Sequence, residues 1–401
     1  MKVLLRYWHK LSLLTRALLI VFLLNGVLVS FFLFLLTGQD NNTSLAYTKR
    51  YLSLNTHRMD SWHPMIKALE HLHESPESPV YSKIFFEERT KFQYPPSSLL
   101  ILELIRVLPG ISWLGTVRLL NFLSWLSVLL IGVLSYKLLD NCYCAISNPK
   151  LNNTSKIDSI ALLFIVVLIT MTYYPITRSF FLGQIQTVLT FLGTVSLVAW
   201  QYKKKKTAGL LIGLICAIKP QWGILLLWGA LRRQWAMVIV GALTLTILIA
   251  ISAFIYGLHH FVDYLSVLSF LSQRGEAYFP NQSVNGLLNR LFFNGNNLHF
   301  ADESFPPFNP VIYGSTLISS LLIITTALFW RWRDISNVDA PELAIMMLSM
   351  TIASPIAWEH HYGYSVAHFC HYTTSRAVKT SIWKVDKRVL GRNLLPVKSA
   401  A

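Results

Sequence analysis

Apolar runs alternate with short charged connectors along most of this 401-residue chain. The runs fall at about 16–36, 97–113, 118–139, 159–177, 182–201, 207–231, 236–257, 311–331 and 341–357. Many reach the length of about 18 residues that a helix needs to cross a bilayer. The pattern predicts an all-α polytopic membrane protein with about 9–10 transmembrane or re-entrant helices. Two long polar stretches interrupt it, at about 38–96 and 258–310. No internal repeat and no low-complexity linker divides residues 1–370, which read as one membrane domain.

The run TAGLLIGLICAIKPQWGILLLWGAL (207–231) carries Lys219-Pro220 at its middle, with KKKK before it and Arg232-Arg233 after it. One unbroken helix of this length would span ~37 Å and put its basic flanks on opposite sides. Two half-helices broken at the proline would keep both flanks on one side, as the preference of cytosolic loops for Lys and Arg requires. The second reading then needs one earlier run not to cross, and 97–113 is short and carries Glu103 and Arg106. Under either reading both polar stretches and the segment SPIAWEHHYGY (354–364) end on the non-cytosolic face. The basic opening followed by an uncleaved apolar run places the N-terminus in the cytosol of the plasma (inner) membrane.

Composition supports this class. Only 13% of residues are charged, against about 25% in soluble domains. The net charge of +16 lies in short runs between spans, which fits membrane topology better than a nucleic-acid partner. Cys142, Cys144, Cys216 and Cys370 have no metal-ligand spacing, and no metal is expected. The last residues, 371–401, form a basic tail without a span, as a truncation or frameshift would leave.

Five places carry chemistry. Asp60 opens an amphipathic stretch with Met65, Ala68, Leu69 and Leu72 at helical spacing, which predicts a surface helix lying on the membrane. Asp60 itself reads as a helix N-cap or as a reactive carboxylate. Tyr94-Pro95-Pro96 forces an extended approach to the next run. Gln184, at the start of an apolar helix, must face protein or substrate. Lys219 either snorkels to the interface or faces an anionic headgroup. Asn281, Gln282, Asn285, Asn289 and Arg290 make a polar loop or a surface for sugar hydroxyls and phosphate. Trp358, Glu359, His360, His361 and Tyr362 read as an interfacial aromatic belt or as a site.

YPP at 94–96, GQIQ at 183–186, AGLLIGLICAIKP at 208–220, NQSVNGLLNR at 281–290 and SPIAWEHHY at 354–362 follow Asp60 in one order. Together they resemble glycosyltransferase family 87 of the GT-C superfamily, over about residues 55–362. The resemblance implies a GT-C-type bundle. It also implies a membrane hexosyltransferase, best known as a mannosyltransferase, that uses a polyprenyl-phosphate-hexose donor and a glycolipid or glycan acceptor at the outer face. No cofactor or nucleic acid enters. Asp60 matches the family's general base, with inversion at the anomeric carbon. Lys219, Arg290, His360 and His361 would steady the leaving phosphate, Tyr94 or Trp358 would stack on a sugar, and Gln184, Asn281 and Gln282 would bind substrate. A lipid transporter or flippase, or a non-catalytic truncated family member, is the alternative. A protease built on Glu359-His360-His361 fails for want of HExxH.

Overall fold

A computed structural model describes residues 8, 11–37, 43–54, 58–107, 109–146, 156–299, 305–330 and 340–367. The tail 371–401 and Cys370 lie outside these residues. Every element among the described residues is helical, and the only extended pairing there is an isolated bridge between Asn281 and Trp358. Among the described residues four helices are long and apolar enough to cross a membrane: Leu13–Leu36, Trp113–Asp140, Trp235–Tyr256 and Pro310–Phe329. Lys156–Thr172 and Tyr174–Phe181 make a fifth if their pair, bent by 55°, is one span. The break falls just before Pro175, where the ring removes a backbone donor.

The remaining apolar runs form shorter pieces. Residues 97–113 do not make a span: a 3₁₀ turn at Pro96–Leu99 leads into the short helix Leu100–Arg106. The run 207–231 is broken where its proline stands. Helix Lys205–Cys216 ends, Lys219 adopts an extended conformation, and a 3₁₀ turn starting at Pro220 leads into helix Ile224–Leu231. The first half packs closely on helix Trp235–Tyr256 because Gly213 has no side chain. A Cβ there would lie 2.6 Å from the Gly241 carbonyl oxygen. Small residues at such crossings let two backbones approach within the membrane.

The first polar stretch holds the helix Trp62–Glu74. Its stripe of Met65, Ala68, Leu69 and Leu72 is buried in the protein core beside Leu99, Leu102 and Tyr264. The expectation of a helix lying on the membrane surface is therefore corrected: the apolar face is satisfied by protein. An apolar stripe at helical spacing suits either partner, so the periodicity alone could not separate them.

The two polar stretches are bound to each other. The helix His259–Arg274 from the second supplies Asp263, whose Oδ2 accepts from the Tyr81 amide at 2.7 Å. His260 faces the Pro76 carbonyl oxygen at 2.9 Å. Tyr264 donates to the Gln93 carbonyl at 3.2 Å. The expected convergence of both stretches with segment 354–364 is thus a set of direct contacts, and it encloses a cavity.

Candidate active site

A cavity of about 800 Å³ opens where the two stretches meet the Trp358–His361 segment. Asp60, Tyr94, Gln184, Trp358, His360 and His361 line it, six of the residues singled out in the sequence.

Asp60 is held by backbone. Its amide donates to the Leu182 carbonyl at 3.0 Å, and the Ser61 amide to the Gly183 carbonyl at 3.3 Å. Gly183 sits at φ +65°, and a Cβ on it would lie 2.3 Å from the Arg58 carbonyl oxygen. Only glycine allows this turn to lie flat against residues 58–61. The N-cap position of the following helix falls on Ser61, one residue after Asp60, and the Ser61 side chain makes no capping bond. Ser61 instead gathers its neighbours. Its hydroxyl donates to Gln184 Oε1 at 2.8 Å, accepts from the Ile185 amide at 3.1 Å, and meets the Tyr94 hydroxyl at 2.9 Å. Gln184 and Tyr94 therefore lock the Asp60 turn. Burial, with the Asp60 charge adding to it, pushes the Tyr94 hydroxyl up to about 12, so Tyr94 stays protonated.

The opposite wall is the 3₁₀ turn Glu359–Tyr362 with Trp358 before it. Asn281 fixes this strap. Its Nδ2 donates to the carbonyls of Glu276 at 2.7 Å and Pro355 at 3.1 Å, and its Oδ1 accepts from the Ala357 amide at 2.9 Å. Gln282 donates its amide to the Ala357 carbonyl at 2.8 Å, and Arg290 Nη1 donates to the Asn281 carbonyl at 2.8 Å. Asn281, Gln282 and Arg290 do not line the cavity; their observed bonds brace the strap that does. Trp358 and Tyr278 face each other with ring centroids 5.8 Å apart, giving the cavity an aromatic side.

Lys219 stands behind His361. Its Nζ donates to Gln186 Oε1 at 2.7 Å and lies 3.1 Å from His361 Nε2. An ammonium only donates, so a charged Lys219 makes Nε2 the acceptor and leaves the imidazole proton on Nδ1. Burial, then the Lys219 charge, holds both His360 and His361 well below the ordinary histidine range, so both rings are neutral.

Several cavity residues escape a reading of the sequence. Arg58, Arg89, Lys91 and Arg178 also line it, facing the carboxylates of Asp60, Glu88 and Glu276. Arg178 sits in the last turn of the helix Tyr174–Phe181, reaches the Tyr47 hydroxyl through Nη1 and pairs through Nε with Glu359 at 3.7 Å. Its Nε is buried without a hydrogen-bond partner. Glu359 also accepts from the Tyr174 hydroxyl at 2.7 Å, and burial raises its pKa. Glu276, paired with Lys91 at 3.5 Å, is likewise raised by burial. No signal short of the folded contacts marks these residues, which come from four separate segments. Among the described residues no group of three or more His, Cys, Asp and Glu side chains could hold a metal ion.

The apolar helices mark an integral multi-pass membrane protein. The family model for glycosyltransferase family 87 matches residues 92–355, and the chain belongs to that family. No curated protein and no solved structure matches it. It is thus a membrane glycosyltransferase, acting on a sugar donor and an acceptor.

Proposed function

We propose that the protein transfers a hexose, mannose first among the choices, from a polyprenyl-phosphate donor to a glycolipid or glycan acceptor at the outer face of the plasma membrane. The supporting observation is that Asp60 and the His360–His361 pair share one cavity, lined also by four arginine and lysine side chains, in a family 87 chain. Asp60 takes the proton of the acceptor hydroxyl as that oxygen forms its bond to the anomeric carbon. The bond from that carbon to the phosphate oxygen breaks with inversion, and polyprenyl phosphate leaves with the electron pair. The developing charge needs donors fixed in advance. Arg178, a guanidinium lining the cavity beside Glu359, and Nδ1–H of His361, set by Lys219, suit that task. The aromatic side at Trp358 and Tyr278 suits the face of a sugar ring. Asn281, Gln282 and Arg290 act by holding the strap.

The test is transfer by purified protein in lipid vesicles, offered polyprenyl-phosphate-mannose or GDP-mannose with a membrane-lipid extract as acceptor. Transfer from the lipid-linked donor alone is expected. Transfer from the nucleotide sugar alone would refute the donor class.

A further inference from the structure

The second polar stretch contains a helix that is built inside out. Val284–Leu291 turns its polar residues inward: Asn285 and Asn289 are both 0% exposed. Its apolar residues point outward, Leu287 at 50% and Leu291 at 63%. The chain beyond it continues the same face, with Phe292 at 54% and Phe293 at 89%. In water this arrangement is unfavourable, since large apolar side chains left exposed forgo the free energy of burial. The inward asparagines are fully used. Asn289 Nδ2 donates to Asn285 Oδ1 at 2.7 Å, and Asn285 Nδ2 donates to Thr316 Oγ1 at 3.2 Å.

That last bond says what lies outside. Thr316 belongs to Pro310–Phe329, one of the helices long and apolar enough to cross the membrane. The short helix is fastened to the first turns of that span. Asn294 adds a bond to the Pro307 carbonyl at 2.9 Å. On the span itself Val311, Ile318 and Leu321 are exposed, as residues facing acyl chains are, and Phe308 stands exposed just before it. The apolar face of 287–293 therefore adjoins the exposed apolar surface at the start of that span.

We propose that Leu287, Leu291, Phe292 and Phe293 are seated in the acyl-chain layer of the bilayer, making 284–293 an interfacial anchor. Such helices bury the apolar face just below the headgroups. The anchor is joined to the cavity wall. Arg290 holds the Asn281 carbonyl, and Asn281 holds the strap bearing Trp358, His360 and His361. Lipid contact thereby fixes the height of that wall relative to the membrane surface.

The test uses the full chain in phosphatidylcholine–phosphatidylglycerol vesicles, with a nitroxide spin label at Leu287→Cys, at Phe293→Cys or, as a polar-loop reference, at Glu77→Cys. The signal of the unsubstituted protein is subtracted. Collisions with oxygen, which partitions into lipid, are compared with collisions with a water-soluble nickel chelate. The expected result is an oxygen-to-nickel ratio several-fold higher at 287 and 293 than at 77. Nickel reaching 287 and 293 as freely as 77 would overturn the proposal in favour of an aqueous face. Exclusion of both probes would overturn it in favour of a covering protein surface, such as a second copy of the chain. Two label positions keep the result interpretable if one variant does not assemble.

Discussion

Gly183→Ala tests whether the Asp60 turn is positioned by backbone contact. The new methyl carbon would sit 2.3 Å from the Arg58 carbonyl oxygen and 3.2 Å from Met59 Cα, where ordinary contact begins near 3.4 Å. Backbone cannot rotate away as a flexible side chain can, so residues 58–60 must retreat by about 1 Å. A displacement of that size at a reacting group costs roughly 10²-fold in rate. The left-handed conformation at φ +65° adds about 1–2 kcal/mol of strain for alanine, which should lower the unfolding temperature modestly. The assay is sugar transfer per folded molecule, with donor affinity measured beside it. Turnover should fall far more than donor affinity, because Trp358, His360 and His361 lie on a different strap. Wild-type turnover from folded Gly183→Ala protein would refute the positioning argument.

Asn281→Ala should destabilise the protein by about 3 kcal/mol, since buried carbonyls and an amide lose their partner together; a fall in the thermal midpoint with loss of transfer checks this. His360 and His361 are kept neutral in the fold, so below their ordinary value of 6.5 the unfolded chain binds protons that the folded chain refuses. The stability they allow is present above that pH and lost as pH falls through the lower folded values, by up to ~1.4 kcal/mol per pH unit for each ring. A thermal midpoint that falls on acidification, and a flatter slope in a His360→Gln/His361→Gln variant, are the expected readings. Lys219→Met removes one of the charges that keep His361 unprotonated. The acid limb of its activity profile should move to higher pH, and turnover should drop by roughly 10²-fold. Lys219→Arg should restore part of both.

The sequence carried the architecture where a single residue decides the local backbone. Pro220 breaks its run because a proline cannot sit inside a helix, and Lys219 beside it ends up buried against Gln186 and His361, as a polar side chain within an apolar run should. Asp60, Gln184, Tyr94 and the histidine pair were legible as polar residues next to apolar runs. Direction was not legible. Asn281, Asn285 and Asn289 read as groups able to meet a ligand, yet they face inward and hold backbone or a neighbouring helix. Residue type sets hydrogen-bonding capacity, but the partner that uses it comes from tertiary packing. Arg178 was hidden for a related reason: in TYYPITRSFF it looks like a basic residue at a helix end. Only the approach of Tyr47 and Glu359 from far along the chain brings it to the cavity.

The most direct measurement compares wild-type protein with Asp60→Asn in lipid vesicles, following mannose transfer from polyprenyl-phosphate-mannose and donor binding in the same preparation. The asparagine keeps the shape and loses the proton acceptor. A general base of this kind contributes about 10²–10⁴-fold, so transfer should fall by that factor while donor binding and the unfolding temperature hold. Transfer by Asp60→Asn at the wild-type rate would remove Asp60 as the base.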